Sequence, residues 1–431
     1  MSLMQVFYWF AFLSLLLFSW YRGRGILHPH FMFCVMLFIL ASDFMIRGMD
    51  DQNLQFIMAG DLTRYQLATL ATLIGIGVST AIVRRPYEVG IAITRPEMNV
   101  SLGTARFLLL VSIAVFLIHT AFRLNSVEWS PQGLLDQMFG PRDTRIWEQV
   151  GADGTRNPVY QLFNGMIPLA AIAFAFVLFS RHIALAVAAA AFLLLSLFVL
   201  ITDGSRTQAI IPMASLAIFG LISLRSFLAK AMLVFGVVVM MALATSAMIL
   251  FRARGIENST SSFALTYHQD DSIYRIWSAC AFADFSNYRW DPLYFFYYVI
   301  SLPVPRTLWA GKPLLTEDFY GGFKLWYTTT TFIGEWVAML GVWPGFVVAF
   351  VFGNLLYRAF YVSQRLLNLP FGLPAYLLVA LYTYMIMRSM PNVSMFIFAP
   401  VAALILVYLA QRRTVRRNLF GYAGGGSAWS N

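Results

Sequence analysis

The residues best suited to chemistry in this chain are arginines set beside rigid turns. The stretch Leu302–Pro313 holds Arg306 and Lys312 among three prolines. Proline lacks an N–H and clashes with the preceding turn, so no continuous helix can form there. Arg206 stands in a tight turn, Asp203-Gly204-Ser205-Arg206-Thr207, between two long apolar runs. Arg252 and Arg254 open a long polar segment, Arg142 and Arg145 follow Gly140-Pro141, and Arg275 lies further along. A guanidinium is a planar fork that takes two oxygens at once, so several on one side of a membrane suit a diphosphate. The plainer reading pairs each arginine with a carboxylate or a lipid headgroup. Both readings stand for any single arginine; the rigid turns favour the ligand for Arg206 and Arg306.

Glu335 lies at the start of an apolar run, where a carboxylate is costly unless partnered. It can neutralise Arg306 or Lys312, act as a base, or favour its own helix N-terminus; structural pairing is the first of these. His268, with Asp270 and Asp271, forms a dense titratable cluster. Such a histidine can take a proton from a hydroxyl near neutral pH. Ser259 to Ser262 nearby do not make a triad, which is defined by geometry and not by closeness in sequence; a solvated loop is the plainer account. Trp290, Tyr294 to Tyr298, Trp309, Trp326 and Tyr327 crowd the same part of the chain. They fit an interfacial aromatic belt, and equally a surface for sugars or a polyprenyl tail.

These groups need a scaffold, and composition says which. Hydrophobic residues make up 59% of 431, and charged residues only 12%, against about 25% in soluble domains. Lipid is therefore the expected solvent. Apolar runs recur near 4–20, 31–46, 66–83, 106–122, 163–179, 183–202, 208–224, 231–250, 332–352, 372–388 and 395–410. That is an all-α, polytopic fold of about eleven spans, each long enough for about 30 Å of hydrocarbon. Leu293–Val304 is too short to cross and reads as a re-entrant or interfacial segment. Val6–Trp20 reads as a retained span, without the flanks of a signal peptide. Asp43, Arg106 and Arg388 are the charges nearest span interiors, each within a short boundary shift of a helix end.

Arg412, Arg413, Arg416 and Arg417 place the C-terminus in the cytoplasm, and counting back puts basic loops on that side and the N-terminus outside. Segments 47–65, 123–162 and 251–331 then face outward, with most of the arginines above. Within the last, Ile273, Ile276, Trp277, Cys280 and Ala281 repeat at helical spacing with Arg275 and Ser278 off that face, so a short amphipathic helix on the membrane surface is expected. The membrane domain is taken as 1–417, and the Gly- and Ser-rich tail 418–431 as disordered. Cys34 and Cys280 are too separated in character to suggest a disulfide framework. Five scattered histidines offer no metal cluster, and no cofactor is expected. The net charge of +10 is explained by basic cytoplasmic loops, so no nucleic-acid partner is expected.

As a set, Arg-Ala-Arg-Gly at 252–255, Pro305-Arg306 with Trp309, Lys312-Pro313 and Gly334-Glu335-Trp336 resemble the bacterial oligosaccharide repeat-unit polymerases of the Wzy type. Gly204-Ser205-Arg206 is similar to a turn of that family, although Thr207 stands where a small residue is usual. The likeness is strongest over 202–353. It implies a GT-C-like membrane glycosyltransferase of the bacterial inner membrane, working on its periplasmic face. Its substrates would be undecaprenyl-diphosphate-linked glycans, joined into O-antigen or exopolysaccharide, with a chain-length regulator and an export complex as candidate partners. The expected catalytic set is Arg206, Arg254, Arg306, Glu335 and His268. The expected substrate-binding set is Arg252, Lys312, Arg142, Arg145 and Arg275.

Three rivals stand beside this reading. A polymer ligase would use the same donor with a different acceptor. A lipid-linked-sugar transporter would need polar groups through the full membrane depth, and the spans here are nearly free of charge. A structural scaffold of an export complex is the third.

Overall fold

The computed structural model describes residues 2–23, 27–48, 61–83, 102–133, 182–202, 272–285, 289–301, 330–368 and 372–391, with isolated positions between 167 and 239 and at 304, 309, 401 and 405. Among the described residues every regular element is a helix. They are α1 (Leu3–Gly23), α2 (Pro29–Arg47), α3 (Leu62–Val83), α4 (Leu102–Ser126), α5 (Ile183–Thr202), α6 (Ser272–Phe285), α7 (Pro292–Ser301), α8 (Phe332–Leu340), α9 (Val342–Ser363) and α10 (Gly372–Arg388). A short 3₁₀ helix, Gln364–Asn368, follows α9. Four of these helices, α1, α3, α4 and α9, are long and apolar enough to cross a membrane. Shorter apolar stretches of α2 and α5, Pro29–Ser42 and Ile183–Val199, join them. The expected spans at 163–179, 208–224, 231–250 and 395–410 lie wholly or largely outside the described residues.

The chain divides into two compact units, one of 1–88 and 268–407, the other of 89–267 and 408–431. In the second unit α4 and α5 meet through Phe116 and Phe192, edge to face at 5.5 Å.

The first unit holds the remaining helices. Its core is aromatic where α1 meets α2: Tyr8 packs on Phe44 at 5.1 Å and Phe12 on Phe38 at 5.8 Å. Polar side chains inside this core bond across helices, as unpaired groups away from water must. Gln5 Nε2 donates to the Phe44 carbonyl at 3.1 Å, Ser19 Oγ to Cys34 Sγ at 3.0 Å, and Tyr376 Oη to the Leu27 carbonyl at 2.9 Å. Close approach of α3 and α9 rests on Gly353, where a Cβ would stand 2.5 Å from Ile76 Cδ1. One turn beside it, Ser79 Oγ donates to Asn354 Oδ1 at 2.7 Å. Helix α2 begins with Pro29 after His28 and ends at Gly48, whose φ of 71° is open to glycine.

Three expectations change. The apolar run 332–352 is not one span: it breaks at Gly341, φ 90°, into α8 and α9. Helix α6 forms where the periodicity predicts it, but it is covered on more than one face. Trp277 meets Phe44 near the end of α2 at 5.0 Å, and Tyr65 near the start of α3 bonds Asp284 at 2.5 Å. So α6 lies across the ends of α2 and α3, with α8 against another of its faces. Cys280, expected in a polar loop, is fully buried within it. The short segment before Val304 forms α7, ten residues long. Trp290 and Phe295 are buried and stacked at 5.5 Å, while Leu293, Tyr297 and Ile300 are exposed. That fits a segment too short to cross.

Candidate functional site

The α8–α9 hairpin positions the one acidic candidate. The helices run antiparallel and very close: a Cβ on Gly345 would stand 2.5 Å from Val337 Cα. The Phe332 ring meets Phe352 at 5.8 Å. At 1.5 Å per residue, α8 therefore starts alongside α9 about 15 Å from the turn. Thr331 caps it, its Oγ1 accepting from the Gly334 N–H at 3.3 Å. Residues 330–335 are all buried. A helix that starts inside a bundle, not at its edge, is what a broken apolar run produces.

Glu335 lies in the first turn of α8 and is fully buried. Its Oε1 is bonded by Ser389 Oγ at 2.7 Å and its Oε2 by the Met390 N–H at 2.8 Å. Both donors are neutral and belong to the residues just after α10. Desolvation pushes the carboxyl up to about 8, against the smaller lowering by the two hydrogen bonds. At neutral pH the group is therefore largely a neutral acid. A rotated Ser389 hydroxyl then accepts its proton, and Met390 still donates to the other oxygen. The carboxyl thus ties α8 to the end of α10. Of the readings open to Glu335, a structural tie is the one these bonds express, with Ser389 and Met390 as partners.

Arg275 is the other candidate within the described residues. It lies on α6 and is 8% exposed, where an outward-facing binding arginine was expected. Packing gives the reason. The virtual Cβ of Gly334 lies 3.4 Å from Ala279 Cβ and 3.6 Å from the Arg275 carbonyl, so α6 and α8 are pressed together at this level. Arg275 and Glu335 therefore lie on adjoining helices at one packed junction. Arg142, Arg145, Arg206, Arg252, Arg254, His268, Arg306 and Lys312 lie outside the described residues.

The sequence did not point to Ser389 and Met390. The one available signal was Pro391, which ends α10 and leaves an amide and a hydroxyl near its last turn. Nor did it point to the Tyr65–Asp284 bond, which joins positions 219 residues apart. Among the described residues no group of His, Cys, Asp and Glu could hold a metal ion. Comparison with family models, with curated proteins and with solved structures finds no match.

Proposed function

We propose that this protein is a membrane glycosyltransferase that polymerises oligosaccharide repeat units carried on undecaprenyl diphosphate. The full fold in this proposal has about eleven spans in a GT-C-like arrangement, in the bacterial inner membrane. Its active face is periplasmic and its C-terminus cytoplasmic. The observation that supports the reading most is the buried α8 start. It brings a buried carboxyl, Glu335, inside the bundle, on the chain segment that carries Arg306 and Lys312 in sequence. Apolar helices supply the lipid setting that a polyprenyl donor requires.

The reaction joins an acceptor hydroxyl oxygen to the anomeric carbon of the growing glycan. The bond from that carbon to the diphosphate breaks, and the hydroxyl proton goes to a base. The leaving group is an anionic lipid diphosphate, so preplaced cations lower the barrier. In this proposal Arg206, Arg254 and Arg306 meet that charge, and Arg252, Lys312, Arg142 and Arg145 guide the substrate. His268 is the candidate base. Glu335 fixes the inner end of the segment through Ser389 and Met390, and Arg275 lies on α6 beside it.

The test is reconstitution of the purified protein with lipid-linked repeat units alone, read as glycan length on a gel. Ladder formation with no second acceptor separates a polymerase from a ligase. Arg306→Ala or Arg206→Ala is expected to lower it by about a hundredfold or more, the scale of one lost transition-state donor. A full ladder from either variant removes that residue from the site. No ladder from the wild-type protein removes the polymerase assignment.

A further inference from the structure

Where α1 gives way to α2, two side-chain donors meet no acceptor of the protein. The helices run antiparallel there: Ser19 Oγ stands 3.0 Å from Cys34 Sγ, and the Trp20 ring meets Phe31 edge to face at 5.5 Å. Continued toward the connection, that register sets Arg22, in the last turn of α1, against His28 and the start of α2. Both Arg22 and His28 lie within electrostatic reach of His30. Each is half-buried, yet Arg22 Nε and His28 Nε2 are sealed from solvent and have no hydrogen-bond partner.

The start of α2 decides what His28 offers. It caps the helix, its Nδ1 accepting from the His30 N–H at 3.2 Å. Burial holds its pKa below the ordinary 6.5. A neutral imidazole that accepts at Nδ1 carries its proton on Nε2, so the sealed nitrogen is an N–H. Its setting is fixed on both sides. The His30 ring reaches Thr80 Oγ1 at 3.2 Å and Cys34 Sγ at 3.7 Å, and the Leu27 carbonyl accepts from Tyr376 Oη at 2.9 Å. Arg22 forms no ion pair among the described residues. A half-buried cation beside a fixed N–H calls for an acceptor with negative charge. A water can accept from both, but it leaves the charge unmatched. Trp20 and Tyr21 next to them are 50% and 81% exposed, as aromatics at the end of a lipid-facing span are. The donors therefore lie at the depth of lipid headgroups.

We propose that Arg22 and His28 bind a phosphate group, that of an anionic phospholipid in the leaflet beside them. The guanidinium fork takes phosphate oxygens through Nε–H and an outer nitrogen, and the His28 Nε2–H donates to the same group. Basic clefts between helices on the cytoplasmic side suit such headgroups, and the basic loops put this end on the expected cytoplasmic side. The bound lipid would pin the first two helices to each other at the membrane edge. This site lies apart from the proposed periplasmic chemistry and does not rest on the polymerase reading.

The test uses full-length protein in a non-ionic detergent. Short-chain phosphatidylglycerol, short-chain phosphatidylcholine and inorganic phosphate are titrated separately, and affinity is read from the rise in melting temperature. Phosphatidylglycerol is expected to stabilise the wild type, and the zwitterionic phosphatidylcholine is not. Arg22→Gln is expected to weaken that binding about tenfold, the scale of one charged hydrogen bond. His28→Asn keeps a capping oxygen for the His30 N–H but lacks the distal ring nitrogen, and should weaken binding in the same direction. Arg365→Gln, which changes an exposed arginine on the same expected side, should bind like the wild type. Stabilisation by inorganic phosphate that Arg22→Gln abolishes would uphold the site and assign it to a soluble anion. No response to either phosphatidylglycerol or phosphate, an equal response to the two lipids, wild-type affinity in both site variants, or equal weakening by Arg365→Gln overturns the proposal.

Discussion

Glu335 gives up water for one hydroxyl and one amide N–H. Neither carries charge, so burial dominates and the folded protein holds the proton more tightly than the unfolded chain does. The folded value is near 8 and the ordinary one 4.5. Linkage then fixes the sign: where the folded state binds more protons, stability falls as pH rises. The tie is at full strength below the unfolded value and weakens as pH climbs through the folded one. Thermal unfolding in detergent should show wild type losing stability between pH 5 and 8.5, about the span of those two values. Glu335→Gln can still accept from Met390 and donate to Ser389, so it should remove that slope while keeping the fold. A variant with the wild-type slope would show that another group titrates. Glu335→Ala leaves the Ser389 hydroxyl and the Met390 amide buried and unpaired. It should lower stability by about 1–3 kcal/mol for each orphaned group, measured by denaturant titration at pH 6.

At the scale of elements, glycine at 345 sets how near α8 can come to α9. A methyl there meets the backbone of Val337, not the tip of a flexible side chain. Gly345→Ala must therefore push the helices apart, at a cost of about 1–3 kcal/mol for overpacking, read as a lower melting temperature. Hydrogen exchange should rise in 332–340 before it rises in 342–363. Equal exchange in both would show that α8 does not depend on this contact. The sequence gives α1, α2, α3, α4, α5 and α10 within a few residues, because long apolar runs report on lipid directly. The apolar run alone hides the break at Gly341, but Gly341 and Pro344 mark it: the proline cannot bond the Leu340 carbonyl of a continuous helix, and the glycine takes the positive φ of the turn. The period of α6 marks a helix, yet periodicity tells which residues share a face and not how many faces are covered. Arg275, off the apolar face of the pattern, is buried against expectation for that reason. The bonds of Glu335 and Tyr65 were hidden for another: each joins helices far apart in the chain, and local spacing carries no record of such partners.

For the molecule as a whole, each loop is expected on a definite side of the bilayer. The basic loops predict that the start of α3 faces the periplasm and the end of α9 the cytoplasm. Thr63 and Arg365 are both exposed. Thr63→Cys should react with a membrane-impermeant maleimide in intact spheroplasts, and Arg365→Cys only after lysis. The reverse pattern would invert the proposed topology and put the arginine-rich segments on the wrong side for a periplasmic enzyme. Such measurements usually begin by stripping a protein of its native thiols. Here Cys34 and Cys280 are both free and sealed in the core, and burial, with Asp284 adding to it, keeps the Cys280 thiol protonated. A single reporter sulfur introduced anywhere on the exterior would speak without background, so spin labels, crosslinkers and fluorophores can be used on the otherwise unaltered chain.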